Sequence, residues 1–94
     1  MNLNYSAAVL KARREAIRWH LLSVIDLSRP AGIYTESLLP VIQTVYPDAT
    51  HQEIRRELDY LEAREMVNIA RDPMDRWFVD LTRTGIEFVE YTID

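Results

Sequence analysis

"THQEIRRELDYLEAREMV", residues 50–67, contains the helix around which the rest of the chain can be arranged. Thr50 is followed three positions later by Glu53, which is the pattern of a capping box at the start of a helix. Apolar residues then recur at i, i+4 and i+7, and these are Ile54, Leu58 and Leu61. The stretch also holds five acidic residues and three arginines, so both signs of charge must share its polar surface.

The preceding sequence predicts two more helices. From Ser6 to about Ser28 no proline or glycine interrupts the chain, and "SRPAG" then ends the helix. A second helix is expected over residues 36–45 with Thr35 as its N-cap, before the turn "YPDA". Helical spacing places the following residues inward: Leu10, Ile17, Leu21, Val24, Ile25 and Ser28 in the first helix, and Leu38, Leu39, Ile42 and Val45 in the second.

After Glu65 the pattern changes to that of strands. "MVNIA" and "RWFVDL" are rich in β-branched and aromatic residues and flank the turn-forming "RDPMD", which predicts a β-hairpin. Thr82 or Thr84 can then cap a short closing helix whose inward residues are Ile86 and Val89. We therefore expect one α+β domain over residues 1–94, with three helices, a hairpin and a short C-terminal helix.

The element order, "IRRELDYLEAREMVNI" and the closing "LTRTG" resemble the winged helix-turn-helix superfamily over almost the whole chain. Such proteins often end the third helix with glycine, where this chain has Glu65, so we expect either an unfavourable backbone conformation at Glu65 or a helix that ends differently. "YSAAVLKARREAIRWHLL", "VYPDAT", "RRELDYL" and "RWFVDLTRTG" also look like small uncharacterised proteins of Mu-like bacteriophages and prophages. That second resemblance implies a phage origin and brings no activity with it.

Composition narrows the class of protein. The chain has 94 residues, a net charge of -4 and no cysteine, which excludes disulfides, thiolate metal sites and cysteine nucleophiles. No apolar run approaches the roughly 18 residues needed to span a bilayer, and "MNLNYSAAVL" lacks the basic flank of a signal peptide. We expect a cytoplasmic protein without membrane contact. Residues 11–29 carry a local surplus of positive charge, and residues 48–66 and 71–94 a surplus of negative charge.

Enzymatic sites find little support in the sequence. His20 and His51 fall on different helices without a second ligand at helical spacing, so we expect no metal site. With only Gly32 and Gly85, the chain cannot build a glycine-rich phosphate loop. No isolated carboxylate pair suggests acid–base chemistry. The expectation is a protein that is not an enzyme, with no catalytic residues, no cofactor and no small-molecule ligand.

The outward face of the third helix carries the residues suited to reading DNA. In a winged helix this face, and above all its N-terminal half, meets the major groove. Glutamine pairs with adenine and arginine with guanine through two hydrogen bonds each. The candidate DNA-binding residues are Gln52, Arg55 and Arg56 on this helix and Arg71 and Arg76 at the ends of the hairpin turn. Asp72 and Asp75 lie between the last two and oppose their charge.

An alternative interpretation treats the same arginines as partners of neighbouring acids. Arg55 with Asp59, Arg56 with Asp59, and Glu53 with Arg56 are three or four residues apart and could form ion pairs on a solvated helix face. The protein would then be an interaction module that engages another protein through its acidic surface. Both functions remain open from the sequence: a DNA-binding regulator or accessory factor, and a protein-interaction module.

The first helix is apolar on two sides. Trp19 and Leu22, beside small alanines, lie away from Leu21, and a second apolar side calls for a second partner. We expect Trp19 and Leu22 to contact another subunit and form a homodimer through this helix. In the alternative, the hairpin or the C-terminal helix covers Trp19.

Overall fold

A computed structural model describes residues 6–93, with side chains through residue 92. The sequence predicts a single domain over residues 1–94, and of these, residues 1–5 and 94 lie outside the described part. The elements are α1 (Ala7–Leu27), β1 (Ile33–Tyr34), α2 (Thr35–Gln43), α3 (His51–Ala63), β2 (Val67–Arg71), β3 (Trp77–Leu81) and α4 (Arg83–Ile93). Apart from β1, this is the element order that the sequence predicts.

Helix α1 is the longest element, with 21 residues. The Ser6 hydroxyl accepts a hydrogen bond from the Val9 amide at 3.3 Å, which confirms Ser6 as the cap. Ile17, Leu21 and Ile25 are fully buried, as expected. Leu10 is instead exposed, so its inward assignment was wrong. The first turns of α1 extend beyond the elements that cover its middle, and residues 6–12 are all exposed.

Helix α2 begins one residue earlier than the sequence predicts. Tyr34 occupies the cap position with an extended backbone and no side-chain hydrogen bond, whereas Thr35 is the first helical residue and is buried. The cause is strand β1, which the sequence did not predict and which pairs Ile33 and Tyr34 with β3 immediately before the helix. The helix ends at Gln43, which leaves Val45 exposed rather than inward.

Helix α3 confirms one half of the expected capping box. The Thr50 hydroxyl accepts from the Glu53 amide at 3.1 Å. The Glu53 carboxylate does not reach back to the helix start as expected, because it binds Arg13 of α1. Glu65 follows the helix with a φ of 61°, a left-handed conformation that costs a non-glycine residue energy, so the first of the two expected outcomes is the one observed.

The predicted hairpin is present, and it belongs to a three-stranded antiparallel sheet in the order β1-β3-β2. Ile69 of β2 and Ile33 of β1 both pair with Val79 of the central strand. Side chains of β3 alternate in burial, as the period of a half-buried strand requires, and Trp77, Val79 and Leu81 are the buried ones. Helix α4 starts after Thr82, whose hydroxyl accepts from the Gly85 amide at 2.9 Å.

Helix α1 lies at the centre of the packing and contacts α2, α3, α4 and β3. Both of its apolar sides are therefore covered within the chain. Leu22 is only 2% exposed and packs in the core, which leaves it no surface for a second subunit and corrects that expectation. Trp19 is half-buried and packs against Phe88 on α4 in a T-shaped arrangement, with ring centroids 6.4 Å apart. This is the alternative arrangement, in which the C-terminal helix covers Trp19.

Candidate nucleic-acid interface

The acidic residues on the α1 side of α3 are held by arginines of α1. Arg13 Nε donates to Glu53 Oε2 at 2.8 Å, and Arg13 Nη2 also reaches Asp48 Oδ1 at 3.1 Å. One turn further, Arg18 Nε donates to Glu57 Oε1 at 2.7 Å. The hydrogen bonds from Arg13 lower the pKa of Asp48, which keeps that carboxylate ionised. These contacts join α1 to α3 and give two acids of α3 a cationic partner, with Arg13 shared between Glu53 and Asp48.

The acidic residues near the hairpin are held by Arg71 of β2. Its Nη2 atom lies 3.2 Å from Asp59 Oδ1 and 3.1 Å from Glu62 Oε1. The guanidinium also lies 4.3 Å from the centroid of the Trp77 ring, a distance at which a cation is attracted to the aromatic face. The Glu62 hydrogen bond is the main cause of the raised pKa of Arg71. With these pairs, every carboxylate of α3 is bonded to an arginine of another element.

Arg55 connects α3 to the tip of the hairpin. Its Nη1 atom donates to Asp75 Oδ2 at 2.8 Å and its Nη2 atom to the Asp75 carbonyl at 2.5 Å. The guanidinium lies 4.5 Å from the Trp77 ring centroid. Asp75 has a φ of 61°, and its pKa is lowered chiefly by the hydrogen bond from Arg55. Arg55 therefore positions the hairpin against the helix and has both terminal nitrogens engaged.

The hairpin turn is closed by Asp72. Its carboxylate accepts from the backbone amides of Met74 and Arg76, both at 2.9 Å, and from Arg76 Nε at 2.7 Å. These bonds, with the Arg76 amide as the largest contributor, lower the pKa of Asp72. The Arg76 side chain remains 52% exposed at the edge of the hairpin, and its guanidinium carbon lies 5.4 Å from the centroid of the Tyr34 ring.

Gln52 and Arg56 differ from all of these residues. Both are exposed on the N-terminal half of α3, and neither makes an ion pair or a side-chain hydrogen bond with any of residues 6–92. They line one open depression whose full lining is His51, Gln52, Arg55, Arg56, Asp59 and Trp77. The structure thus brings three of the candidate residues, Gln52, Arg55 and Arg56, to one surface, which we call the outer face of α3. Arg71 and Arg76 lie on the adjoining hairpin.

The ion pairs considered from helical spacing do not form. Asp59 is bonded to Arg71 rather than to Arg55 or Arg56, and Glu53 is bonded to Arg13 rather than to Arg56. Each acid finds its arginine on a neighbouring element instead. Arg56 is consequently left without an acidic partner among the described side chains, which local sequence spacing had not indicated.

The comparisons with known proteins bear on the fold. A solved chain described as the crystal structure of MarR superposes with a TM-score of 0.54 at 20% sequence identity, covering 99% of this chain and 71% of that one. The chain has a winged helix-turn-helix fold. No family model and no curated protein matches it. In this winged helix, α2 and α3 form the helix-turn-helix and the β2–β3 hairpin forms the wing.

Two further observations concern other kinds of site. Within residues 6–93 of the winged helix, no helix combines the length and apolar character needed to cross a membrane. The described side chains also contain no group of 3 or more His, Cys, Asp or Glu residues placed to hold a metal ion.

Proposed function

We propose that this winged helix binds double-stranded DNA as a regulator or accessory factor, with the N-terminal half of α3 in the major groove. The observation that carries the proposal is the contrast between the acids of α3 and its outer face. All the carboxylates of α3 are bonded to arginines of α1 or β2, whereas Gln52 and Arg56 have no partner among residues 6–92. The two exposed side chains are suited to base pairs, because glutamine and arginine each form two hydrogen bonds to a base edge.

The acidic residues of α3 oppose DNA binding less strongly in the folded protein than their number in the sequence suggests. Glu57 is buried, and Glu53 turns toward α1. Asp59 is the one acid on the outer face, and Arg71 lies 3.2 Å from it. The repulsion that Asp59 would exert on a phosphate is therefore partly offset within the protein.

The remaining candidate arginines have different roles in this proposal. Arg55 and Arg71 fix the wing against α3 through their carboxylate bonds, and they contact DNA only where a phosphate approaches these pairs. Arg76 is the wing residue best placed for a phosphate, since Asp72 binds only its Nε atom and the side chain remains 52% exposed. We expect Gln52 and Arg56 to determine sequence preference and Arg76 to add affinity for any sequence.

The test is a binding-site selection with purified protein and a random duplex library, followed by titration of the selected site. Arg56→Ala should weaken binding to that site by about 5- to 150-fold, equivalent to about 1–3 kcal/mol, and should relax the preference at one base position. Arg64→Ala is the matched control. Arg64 carries the same charge at the C-terminal end of the same helix, where it stacks on Tyr60 at 4.6 Å. Equal effects of the two substitutions would contradict groove reading by Arg56.

We also propose a homodimer, with an interface that differs from the one expected from the sequence. Leu22 is buried in the core, so an interface on α1 would have to use Trp19 together with the partly exposed Phe88 that covers it. Tyr91, one turn further along α4, is exposed and would extend that surface. Sedimentation at tens of micromolar should show a dimer that Phe88→Ala weakens, and a monomer for the unsubstituted protein would exclude this interface. A phage origin and a cytoplasmic location remain hypotheses from the sequence.

The second candidate function is a protein-interaction module without DNA binding. It is favoured by the exposed apolar residues Val9 and Leu10 on the projecting start of α1, next to Tyr46 in one open cavity. The binding-site selection experiment distinguishes the two functions. A module of this kind gives no enriched DNA motif at low salt, and Arg56→Ala leaves its residual DNA binding no weaker than Arg64→Ala does.

A further inference from the structure

Helices α1 and α3 run side by side in the same direction. The ion pairs show this, because Arg13 meets Glu53 and, further along both helices, Arg18 meets Glu57. Helix α1 begins six residues before Arg13, whereas α3 begins two residues before Glu53. At about 1.5 Å per residue, α1 projects roughly 6 Å beyond the N-terminal end of α3. On the same alignment, Lys11 lies level with His51, the first residue of α3, and Arg14 lies level with Ile54.

The part of α1 that lies level with the first turn of α3 carries two cations without acidic partners. Lys11 and Arg14 are three residues apart, which places them on one face of the helix, and both are exposed. Neither makes an ion pair with any of residues 6–92, in contrast to Arg13 and Arg18 on the side that faces α3. Glu15, the nearest acid in sequence, lines a different cavity beside Trp19.

Arg14 and Arg56 line the same open cavity between α1 and α3, which has a volume of about 740 Å³. The acids of this cavity are Asp48, Glu53 and Glu57, and each is bonded to Arg13 or Arg18. The lining holds three arginines and three acids, and Arg13 is shared between Asp48 and Glu53, so the two side chains left without an ion pair are Arg14 and Arg56. The cavity lies beside the half of α3 that the proposed function inserts into the groove.

We infer that Lys11 and Arg14 bind backbone phosphates of the DNA strand that borders the groove occupied by α3. The inference rests on the proposed function, and it adds a second helix to the interface. Phosphate is the chemistry that two exposed, unpaired cations beside a groove-reading helix would recognise. Contacts of this kind hold the protein in register on the duplex and carry no sequence information of their own.

The salt dependence of binding tests the inference. Each phosphate contact contributes about 0.9 to the slope of log binding constant against log salt concentration, so Lys11→Ala/Arg14→Ala should reduce that slope by about 1.8. The double variant should bind all DNA sequences more weakly and select the same motif as the unsubstituted protein. Its thermal unfolding should be unchanged, because both side chains are exposed.

The matched control is Arg64→Ala/Arg83→Ala, which removes two other exposed arginines that have no ion pair among residues 6–92. This control removes the same net charge and should leave the slope nearly unchanged. Equal slopes for the two double variants, or an unchanged slope for Lys11→Ala/Arg14→Ala, would overturn the inference. If Arg56→Ala still alters sequence preference in that case, the proposed function stands without the α1 contact. If the unsubstituted protein binds no DNA at low salt, both fail.

Discussion

Arg18 of α1 and Glu57 of α3 form the most enclosed ion pair among residues 6–92, and substitution of Arg18 by methionine would isolate the buried acid. Arg18 Nε lies 2.7 Å from Glu57 Oε1, with the side chains 20% and 3% exposed. The Arg18 guanidinium also lies 3.5 Å from the centroid of the Tyr60 ring. Methionine keeps the apolar stem of arginine and removes its charge. The substitution therefore leaves the Glu57 carboxylate buried without a partner.

The expected loss is large for a domain of this size. Removal of one member of a buried ion pair costs about 3–5 kcal/mol, and the partial exposure of Arg18 favours the lower end of this range. A 94-residue domain has a total stability of about 5–14 kcal/mol, so the variant should retain only part of it. Since each kcal/mol changes the Tm of such a domain by about 4–8 °C, we expect a Tm at least about 12 °C lower.

The assay is urea unfolding followed by tryptophan fluorescence and far-UV circular dichroism, combined with a double-mutant cycle. Arg18→Met and Glu57→Leu are measured singly and together. The single substitution of Arg18 should be strongly destabilising, and the double variant should recover most of the loss, because apolar residues often replace a buried ion pair at little cost. Additive losses in the double variant would refute the reasoning, since they would show that the two side chains do not interact.

Core packing, the start of α4 and the wing contact each provide a separate test. Leu22→Ala should lower the free energy of unfolding by about 2–5 kcal/mol, whereas Leu27→Ala, at a position that is 84% exposed, should change it little; similar small losses in urea unfolding would contradict the core position of Leu22. Gly85→Ala should destabilise by about 1–3 kcal/mol in thermal unfolding, because an added Cβ would press on the backbone carbonyl that precedes β2, and an unchanged Tm would contradict this close approach. Arg55 lowers the pKa of Asp75 below the ordinary aspartate value of 3.8, so the pair stabilises the fold above that pH and loses its effect as the pH falls below it. As the pH is lowered through 3.8, the free energy of unfolding should therefore decrease more steeply for the unsubstituted protein than for Asp75→Asn. Parallel curves for the two proteins would contradict the contact.

The sequence was sufficient for the elements that have strong local signals. Helix α3 has a cap at Thr50 and a regular apolar face, and the hairpin has two β-rich runs on either side of a turn. Strand β1 has only two residues, which is too short for an alternating pattern to appear. Because β1 was missed, the start of α2 was placed one residue too late, at a cap on Thr35.

The partners of the charged residues could not be predicted, because they are decided by tertiary contacts. Helical spacing predicts ion pairs of Asp59 with Arg55 or Arg56. In the folded protein, Arg55 binds Asp75 instead, and Asp59 binds Arg71. A small domain also covers more of a central helix than sequence periodicity suggests. For this reason α1 is buried by α3 on one side and by α4 on another, and Leu22 is part of the core.

Selection of DNA sites by the unsubstituted protein and by Arg56→Ala, from the same random duplex library at low salt, tests the central claim most directly. The account predicts an enriched motif for the unsubstituted protein, and loss of preference at one base pair of that motif in the variant. Gln52→Ala should relax a neighbouring position. The account would be contradicted if no motif were enriched, or if both proteins selected the same motif with equal affinity.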